Sequence, residues 1–286
     1  MDTQLLRTFL TLARTGSFTA AAADLHVVQS TVTSHIKSLE GQLGLPLVDR
    51  LPGGSRLTPA GTRVAQHARE VLDAQDRLFA AARADEVVAG EVTVGAPESM
   101  CAYRLPVVIA ELATRHPELR VHLAPAGTSA ALAGLRAVDG RFDVALVLDD
   151  QVPADGQVVG AEPVTLVAAP AHPAAHGTVT WRELAGFAHF LLEEGCSYSD
   201  RFAAKLAGPA RITRFGSIEA ARSCVLAGLG LSVLPRIAVA AQLADGSLRE
   251  VAVDLPDVPL AVVTDPRRWV SPAVATVTEA IGAAWR

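Results

Sequence analysis

The sequence predicts a multidomain α/β protein with a winged helix-turn-helix at its front, one long helix after it, and a two-lobed α/β body. Three observations predict this. Residues 1–58 divide into short helical runs, each with one apolar face, followed by a Pro-Gly-Gly-Ser turn between apolar residues. Residues 59–85 are helical in pattern without interruption. Residues 91–286 alternate strand-like and helical runs, the pattern of an α/β fold with a largely parallel sheet.

In the first region, Asp2 is placed to cap a helix whose Leu5, Leu6, Phe9 and Leu12 face inward. Gly16-Ser17 ends that helix and caps a second, near 18–25, which buries Phe18, Ala21, Ala22 and Leu25. A third helix carries Val32, Ile36, Leu39 and Leu43 on its buried face. Its other face holds Gln29, Ser30, Thr31, Ser34, His35, Lys37 and Ser38, hydroxyls and amides where a solvated helix usually mixes Glu with Lys. Pro52-Gly53-Gly54-Ser55, flanked by Leu47/Val48 and Leu57, predicts a short hairpin, or wing.

Thr58-Pro59 starts the long helix, with Thr as cap and Pro in the first helical position. Val64, Ala68, Val71, Leu72, Gln75, Leu78 and Phe79 form a narrow apolar seam, which calls for a partner helix from a second subunit. Candidate strands in the body are 92–95, 119–123, 144–148, 164–168, 189–192, 212–215, 231–234, 251–255 and 260–264. The predicted boundaries are 1–58, 59–88 and 91–286, with 91–161 and 268–286 in one lobe and 162–267 in the other. The crossings between lobes are placed near Gly160–Pro163 and Thr264–Arg268.

With 286 residues, the chain has room for two or three domains at roughly 100–200 residues each. The net charge of −5 argues against a nucleic-acid binder, but residues 1–90 hold equal numbers of Lys/Arg and Asp/Glu, so the whole deficit lies after residue 90. Three cysteines, Cys101, Cys196 and Cys224, make no disulfide framework, and the amphipathic start is no signal peptide. Both point to the cytoplasm, and no run reaches the ~18 apolar residues a membrane span needs.

The stretch LLRTFLTLARTGSFTAAAADLHVVQSTVTSHIKSLEGQLGLPLVDR, with LTPAG after the wing, resembles the amino-terminal half of LysR-type transcriptional regulators over about sixty residues. GAPES, GTSAAL and SIEAARSCVLAGLGLSVLP resemble that family's effector half. The resemblance implies DNA binding, a dimerising linker helix, and an effector-binding domain like type 2 periplasmic binding proteins. It further implies a homodimer or homotetramer on an imperfect inverted-repeat DNA operator, with RNA polymerase as a further partner. Six positions depart from the family pattern, Asp49 and Leu51 in the strand leading to the wing among them. Val28 replaces the usual Ser, which moves the expected cap of the third helix to Ser30. Thr33, Ser34 and Val48 replace Ser, Arg and Phe.

The third helix then meets the DNA, and short polar side chains let it approach base edges in a major groove. Gln29 suits adenine, and Thr31 offers a methyl group and a hydroxyl. Ser34, His35 and Lys37 suit phosphates, and Ser30 and Thr33 share the helix. Ser17 and Thr19 begin the helix before it, and Arg50 and Arg56 flank the wing. Ser99, Thr128, Ser129 and Ser217 each follow a strand at a helix start, where free N–H groups favour a small anion. The resemblance adds Glu98, Met100, Cys101 and the 196–198 segment (Cys196, Ser197, Tyr198) to an effector cleft between the lobes. An anionic effector is therefore expected.

Two alternatives remain open. Cys196 at a helix N-terminus, with Cys224, would make a thiol-based redox sensor. A solute-binding protein without specific DNA readout would use the same body. No nucleophile elbow, dinucleotide loop or phosphate loop is present, so an enzyme is not expected. His172 and His176 are four apart, but Pro173 disfavours a shared helical face, so neither a metal nor a cofactor is expected.

Overall fold

The computed structural model describes residues 2–82, 87–137 and 140–285. Its contacts divide into two compact units. One is Met1–Val88 with Arg136–Arg141 and Asp265–Pro272, and the other is Ala89–Leu135 with Phe142–Thr264 and Ala273–Arg286.

In the first unit, α1 (Thr3–Thr15) starts where the Asp2 carboxylate accepts from the Gln4 N–H at 2.9 Å. It ends at Gly16, whose φ of 62° a side chain would strain. Ser17 caps α2 (Phe18–Asp24), its hydroxyl accepting from the Ala20 N–H. α3 (Gln29–Leu43) buries Val32, Ile36 and Leu39. Leu43, expected on the same face, is exposed, because Gly44 breaks the helix there and its last turn leaves the core. The cap does not move to Ser30. Val28 holds the cap position with extended backbone and no side-chain bond, so Ser30 already lies inside the first turn.

The wing is β1 (Val48–Leu51) paired antiparallel with β2 (Gly54–Leu57), Leu51 opposite Gly54. Its turn is therefore the two residues Pro52-Gly53, not four. Pro followed by Gly53 at φ 92° suits a type II turn. Gly54 and Ser55 belong to the strand, and the Ser55 N–H donates to the Gly16 carbonyl at 2.7 Å, tying the wing to the end of α1. α4 (Pro59–Ala82) starts at Thr58, whose hydroxyl accepts from the Gly61 N–H and donates to the Pro46 carbonyl, both at 2.9 Å. Gly61 is required here, since a Cβ would stand 2.1 Å from the Leu47 carbonyl oxygen. The expected continuation of this helix over 83–85 lies outside the described residues. Leu6, Phe9, Leu12, Ala21, Val32, Ile36 and Leu39 form the core, closed by Ala65, Ala68 and Leu72 of α4.

The second unit holds two five-stranded sheets. The first contains β3 (Gly90–Ala96), β4 (Leu119–Pro125), β5 (Val144–Leu148) and β6 (Gly156–Glu162). Between β3 and β4 lie a π turn (Met100–Arg104) and α5 (Leu105–Arg115), and α6 (Thr128–Arg136) follows β4. The second sheet contains β7 (Val164–Ala168), β8 (Ala188–Leu192), β9 (Arg211–Phe215), β10 (Leu231–Pro235) and β11 (Arg249–Val251). Helices α7 (Trp181–Leu184), α8 (Ser197–Lys205), α9 (Ile218–Leu226) and α10 (Ala240–Asp245) punctuate it. The chain then returns to the first sheet as β12 (Val258–Val263) and ends in α11 (Pro272–Ala283).

The strand orders are β4-β3-β5-β12-β6 and β11-β7-β10-β8-β9. Each sheet is mixed, not largely parallel. β3 runs parallel to β4 and β5, and β8 to β9 and β10. β12 arrives from the other lobe and runs antiparallel to β5 and β6, as β7 does to β10 and β11. β12 also moves the predicted second crossing. The chain leaves the second sheet after β11 and rejoins the first at Val258, so it crosses at 252–257, not at 264–268. The other crossing narrows to Pro163, because Gly160 sits inside β6, where a Cβ would meet Trp285 at 2.9 Å.

Candidate functional site

Two sets of side chains carry chemistry. In the first unit, the outer face of α3 is polar. Gln29, Ser30, Ser34 and Lys37 are exposed, and Thr31 and Thr33 are half-buried. The absent side-chain cap matters, because the first N–H groups of a helix have no acceptor within it. The Val28 side chain supplies none and is 67% exposed, while its carbonyl accepts from the Thr31 N–H at 3.0 Å. The α3 N-terminus thus presents the N–H groups of Gln29 and Ser30 without an acceptor among the described residues.

His35 is bound into the fold. Its Nδ1 lies 2.8 Å from the Thr8 hydroxyl, which donates its own proton to the Gln4 carbonyl at 2.9 Å. The His35 Nδ1–H must therefore be the donor, which fixes the tautomer and leaves Nε2 as an acceptor in the neutral ring. His35 clasps α3 to α1 instead of standing free for a phosphate.

Ser17 is occupied as the α2 cap, while Thr19 is exposed. Arg50 lies 4.4 Å from the centre of the Phe18 ring, a cation–π contact between wing and α2. Arg56 sits 3.5 Å from Asp49 across the hairpin and stays largely exposed. A residue unmarked by the sequence, Glu40, accepts from the Leu47 and Val48 N–H groups and sets the wing's approach to α3.

In the second unit, a cleft of about 410 Å³, its open mouth included, lies between the two sheets' lobes. Pro97, Glu98, Ser99, Gly127, Thr128 and Leu148 line it from one lobe, and Leu192, Glu193, Gly195, Cys196, Ser197, Tyr198 and Ile218 from the other. Six of the anticipated residues meet here: Glu98, Ser99, Thr128, Cys196, Ser197 and Tyr198. Four do not line it. Met100 is fully buried beneath, Cys101 turns its thiol to the Ala96 carbonyl, Ser129 faces outward, and Ser217 binds Glu98. Leu148, Leu192 and Glu193 lie at strand ends and in a turn, where sequence pattern gave no sign of them.

Several contacts hold the lobes across this cleft. The Ser197 hydroxyl donates to the Leu148 carbonyl at 2.5 Å, an oxygen that also accepts from Thr128 of its own lobe at 3.4 Å. The Glu98 carboxylate accepts from the Ile218 N–H at 3.0 Å and from Ser217 at 3.5 Å, so a first-lobe acid caps α9 of the second lobe. Arg201 of α8 binds Asp150 at 2.7 Å and the Pro256 carbonyl at 2.8 Å. Ser99 is 1% exposed, and its hydroxyl is buried without a hydrogen-bond partner.

The charge of the cleft bears on the anionic effector expected from the sequence. Its charged lining residues are Glu98 and Glu193, with no Lys, Arg or His among them. Burial, above all, pushes the Cys196 thiol up, and Glu193 adds to it, against the lowering a reactive thiolate needs. Burial pushes Cys101 up to about 11, with Glu98 contributing. All three thiols are free. Tyr198 is raised well above the usual phenol value, first by burial and then by Cys196 beside it, with Glu193 and Glu98 adding less, so it stays a neutral donor. At the other histidine pair, His172 Nδ1 accepts from the Ala174 N–H at 3.1 Å and so caps a turn.

Comparison with known proteins bears on both sets. Residues 3–62 match the family described as bacterial regulatory helix-turn-helix protein, lysR family, and residues 85–286 match the LysR substrate binding domain. The HTH-type transcriptional regulator YwqM of Bacillus subtilis (strain 168) is 34% identical over 259 residues, 88% of each chain. A full-length OxyR of Pseudomonas aeruginosa, solved as a single-residue variant, superposes with a TM-score of 0.76 at 26% identity, covering 98% of this chain and 94% of that one. CbnR, solved in complex with its target DNA, superposes at 0.61 with 24% identity, covering 99% of this chain and all of that one.

Proposed function

This chain belongs to the LysR family of transcriptional regulators, and from that premise we propose that its α3 reads an operator of imperfect inverted-repeat form while a small molecule in the interlobe cleft sets the regulatory state. The observation that carries the reading is the outer face of α3, exposed, polar and uncapped, beside a wing bearing Arg50 and Arg56. Gln29 sits in the first turn, where a recognition helix contacts base edges, and its amide suits a bidentate bond to adenine. Ser30, Thr31 and Lys37, with the free N–H groups, suit phosphates that fix register. His35 is assigned to holding α3, not to the DNA.

Self-association follows from α4, which leaves Val71, Leu78 and Phe79 exposed on one side. In the cleft, Ser99 and Thr128 are the first-lobe anchors and Ser197 and Tyr198 the second-lobe ones. A ligand that binds one lobe arrangement better shifts the protein toward it by the difference in affinity. The DNA partner places the protein's work in the cytoplasm. Among the described residues, no helix is long and apolar enough to cross a membrane. Its relatives are regulators, and a regulatory role without turnover is the reading adopted.

The test is gel-shift binding of the full-length protein to its own upstream region. Wild type should prefer that DNA over an unrelated duplex at moderate salt. Gln29→Ala should narrow the preference by about 1–3 kcal/mol at one base pair per half-site. Uniform weakening on all sequences would remove Gln29 from the base edge, and binding without any preference would sink the operator reading.

A further inference from the structure

The charge of the cleft narrows the class of molecule it takes. Two glutamates line it and, among the described residues, no cationic side chain does. Glu98 is already engaged by the α9 N-terminus, through the Ile218 N–H at 3.0 Å. Glu193 is exposed, and its carboxylate has no ion pair or hydrogen bond among the described residues. A purely anionic ligand would meet two negative charges, which cost more in a partly dry cleft than in water. The other features favour an anion. The buried Ser99 hydroxyl is unpartnered and lines the cleft, and the nine-residue helices α6 and α8 begin at it with Thr128 and Ser197. Helix N-termini present unsatisfied N–H groups and positive potential. Leu148, Leu192 and Ile218 supply apolar wall.

A cleft that holds both carboxylates and an unspent buried hydroxyl is complementary to one small molecule carrying both charges. We propose that the effector is a zwitterionic amino acid, its carboxylate received by Ser99 and the α6 N-terminus, its ammonium by Glu193 with Glu98 behind it. Glu98 has acceptor capacity to spare, since an ionised carboxylate offers about four lone-pair sites. The ammonium then neutralises the charge that the α9 cap leaves uncompensated, and ligand binding strengthens the contact between lobes. This inference rests on the cleft being the effector site, as proposed above.

The experiment uses the full-length protein and a panel of the twenty common L-amino acids. Each is tested beside its deaminated acid and its decarboxylated amine by thermal shift, and hits are titrated calorimetrically. At least one amino acid should raise the melting temperature and bind tenfold or more tighter than either truncated analogue. Glu193→Gln, an exposed change that leaves the lobe contacts alone, should weaken the amino acid at least tenfold while altering the deaminated acid less than twofold. No shift with any amino acid, equal binding of the deaminated acid, or indifference to Glu193→Gln overturns the proposal. Thr128→Val separates it from its premise. A simple acid whose binding Thr128→Val abolishes leaves the cleft standing and removes the ammonium, whereas a ligand unaffected by Thr128→Val sits elsewhere and sinks the cleft reading itself.

Discussion

Val28 is an apolar side chain, 67% exposed, at a position where Ser, Thr, Asp or Asn would accept a hydrogen bond from the first turn of α3. Caps of that kind are worth about 0.5–2 kcal/mol, so the valine forgoes stability at the helix end nearest Gln29. An isopropyl group there suits contact with a thymine methyl, and the uncapped N–H groups suit a phosphate. Val28→Ser should therefore stabilise the free protein by about 1 kcal/mol in urea denaturation and weaken binding to its native operator. Unchanged stability would mean that the first-turn N–H groups are already satisfied. The substitution of Val for the family's Ser was legible in the sequence, but its consequence for the cap was not, because Ser30 offered an equally good start. His35 shows the opposite limit. Helical spacing put it on the outer face, and only folding reveals that Thr8, 27 residues away, holds its ring.

α4 shows why one helix reads as a single seam and then divides its duties. Ala65, Ala68 and Leu72 turn into the core beneath α1, while Val71, Leu78 and Phe79 are 41%, 68% and 55% exposed. Val64, Ala68, Val71, Gln75 and Leu78 alternate spacings of four and three, the repeat of a helix that packs on another. Exposed apolar area of this kind stabilises association by roughly 25 cal/mol per Å² removed from water. Leu78→Glu puts a charge in the seam and should raise the dimer dissociation constant a hundredfold or more in sedimentation equilibrium. Circular dichroism should be unchanged, since Leu78 is outside the core. A dimer that persists would place the interface on another surface. The periodicity made this seam readable, yet it could not say which members face the same chain, because α1 and a partner helix demand the same residue types.

At the scale of the two-lobed body, legibility followed burial. VALVL and VTLVA are buried at every position and were placed to the residue, since a strand covered on both faces reads as an almost unbroken apolar run. β6, GQVVGAE, is an edge strand with two glycines and mostly exposed positions, and nothing in its pattern marks it. The sheet to which β12 belongs depends on pairing with β5, more than a hundred residues earlier, which no local signal encodes. The result of that pairing is a second crossing at 252–257 beside the first at Pro163, with a charge cluster between them. Glu162, whose side chain is 0% exposed, receives Arg104 through Nε at 3.1 Å and Nη2 at 3.3 Å. Burial raises the Glu162 carboxyl above its ordinary value, Arg104 opposes that, and Asp257 from the other crossing adds to it. A carboxyl raised in the folded state ionises later there than in the unfolded chain. Its contribution is therefore fully present below the ordinary Glu value of about 4.3 and is lost as pH rises through the folded value. Glu162→Gln removes this term and leaves Arg104, which is partly exposed, to water. Of the chain's three tryptophans, Trp181 and Trp285 lie in this unit and Trp269 in the other, so tryptophan fluorescence includes the melting of this part of the molecule. The melting temperature of wild type minus that of Glu162→Gln should fall as pH is raised from 4 toward neutrality and then level off. A difference that grows with pH would show that the pull of Arg104 exceeds the penalty of burial, and that the crossing is held by its ion pair instead of being loosened by the ionised carboxylate.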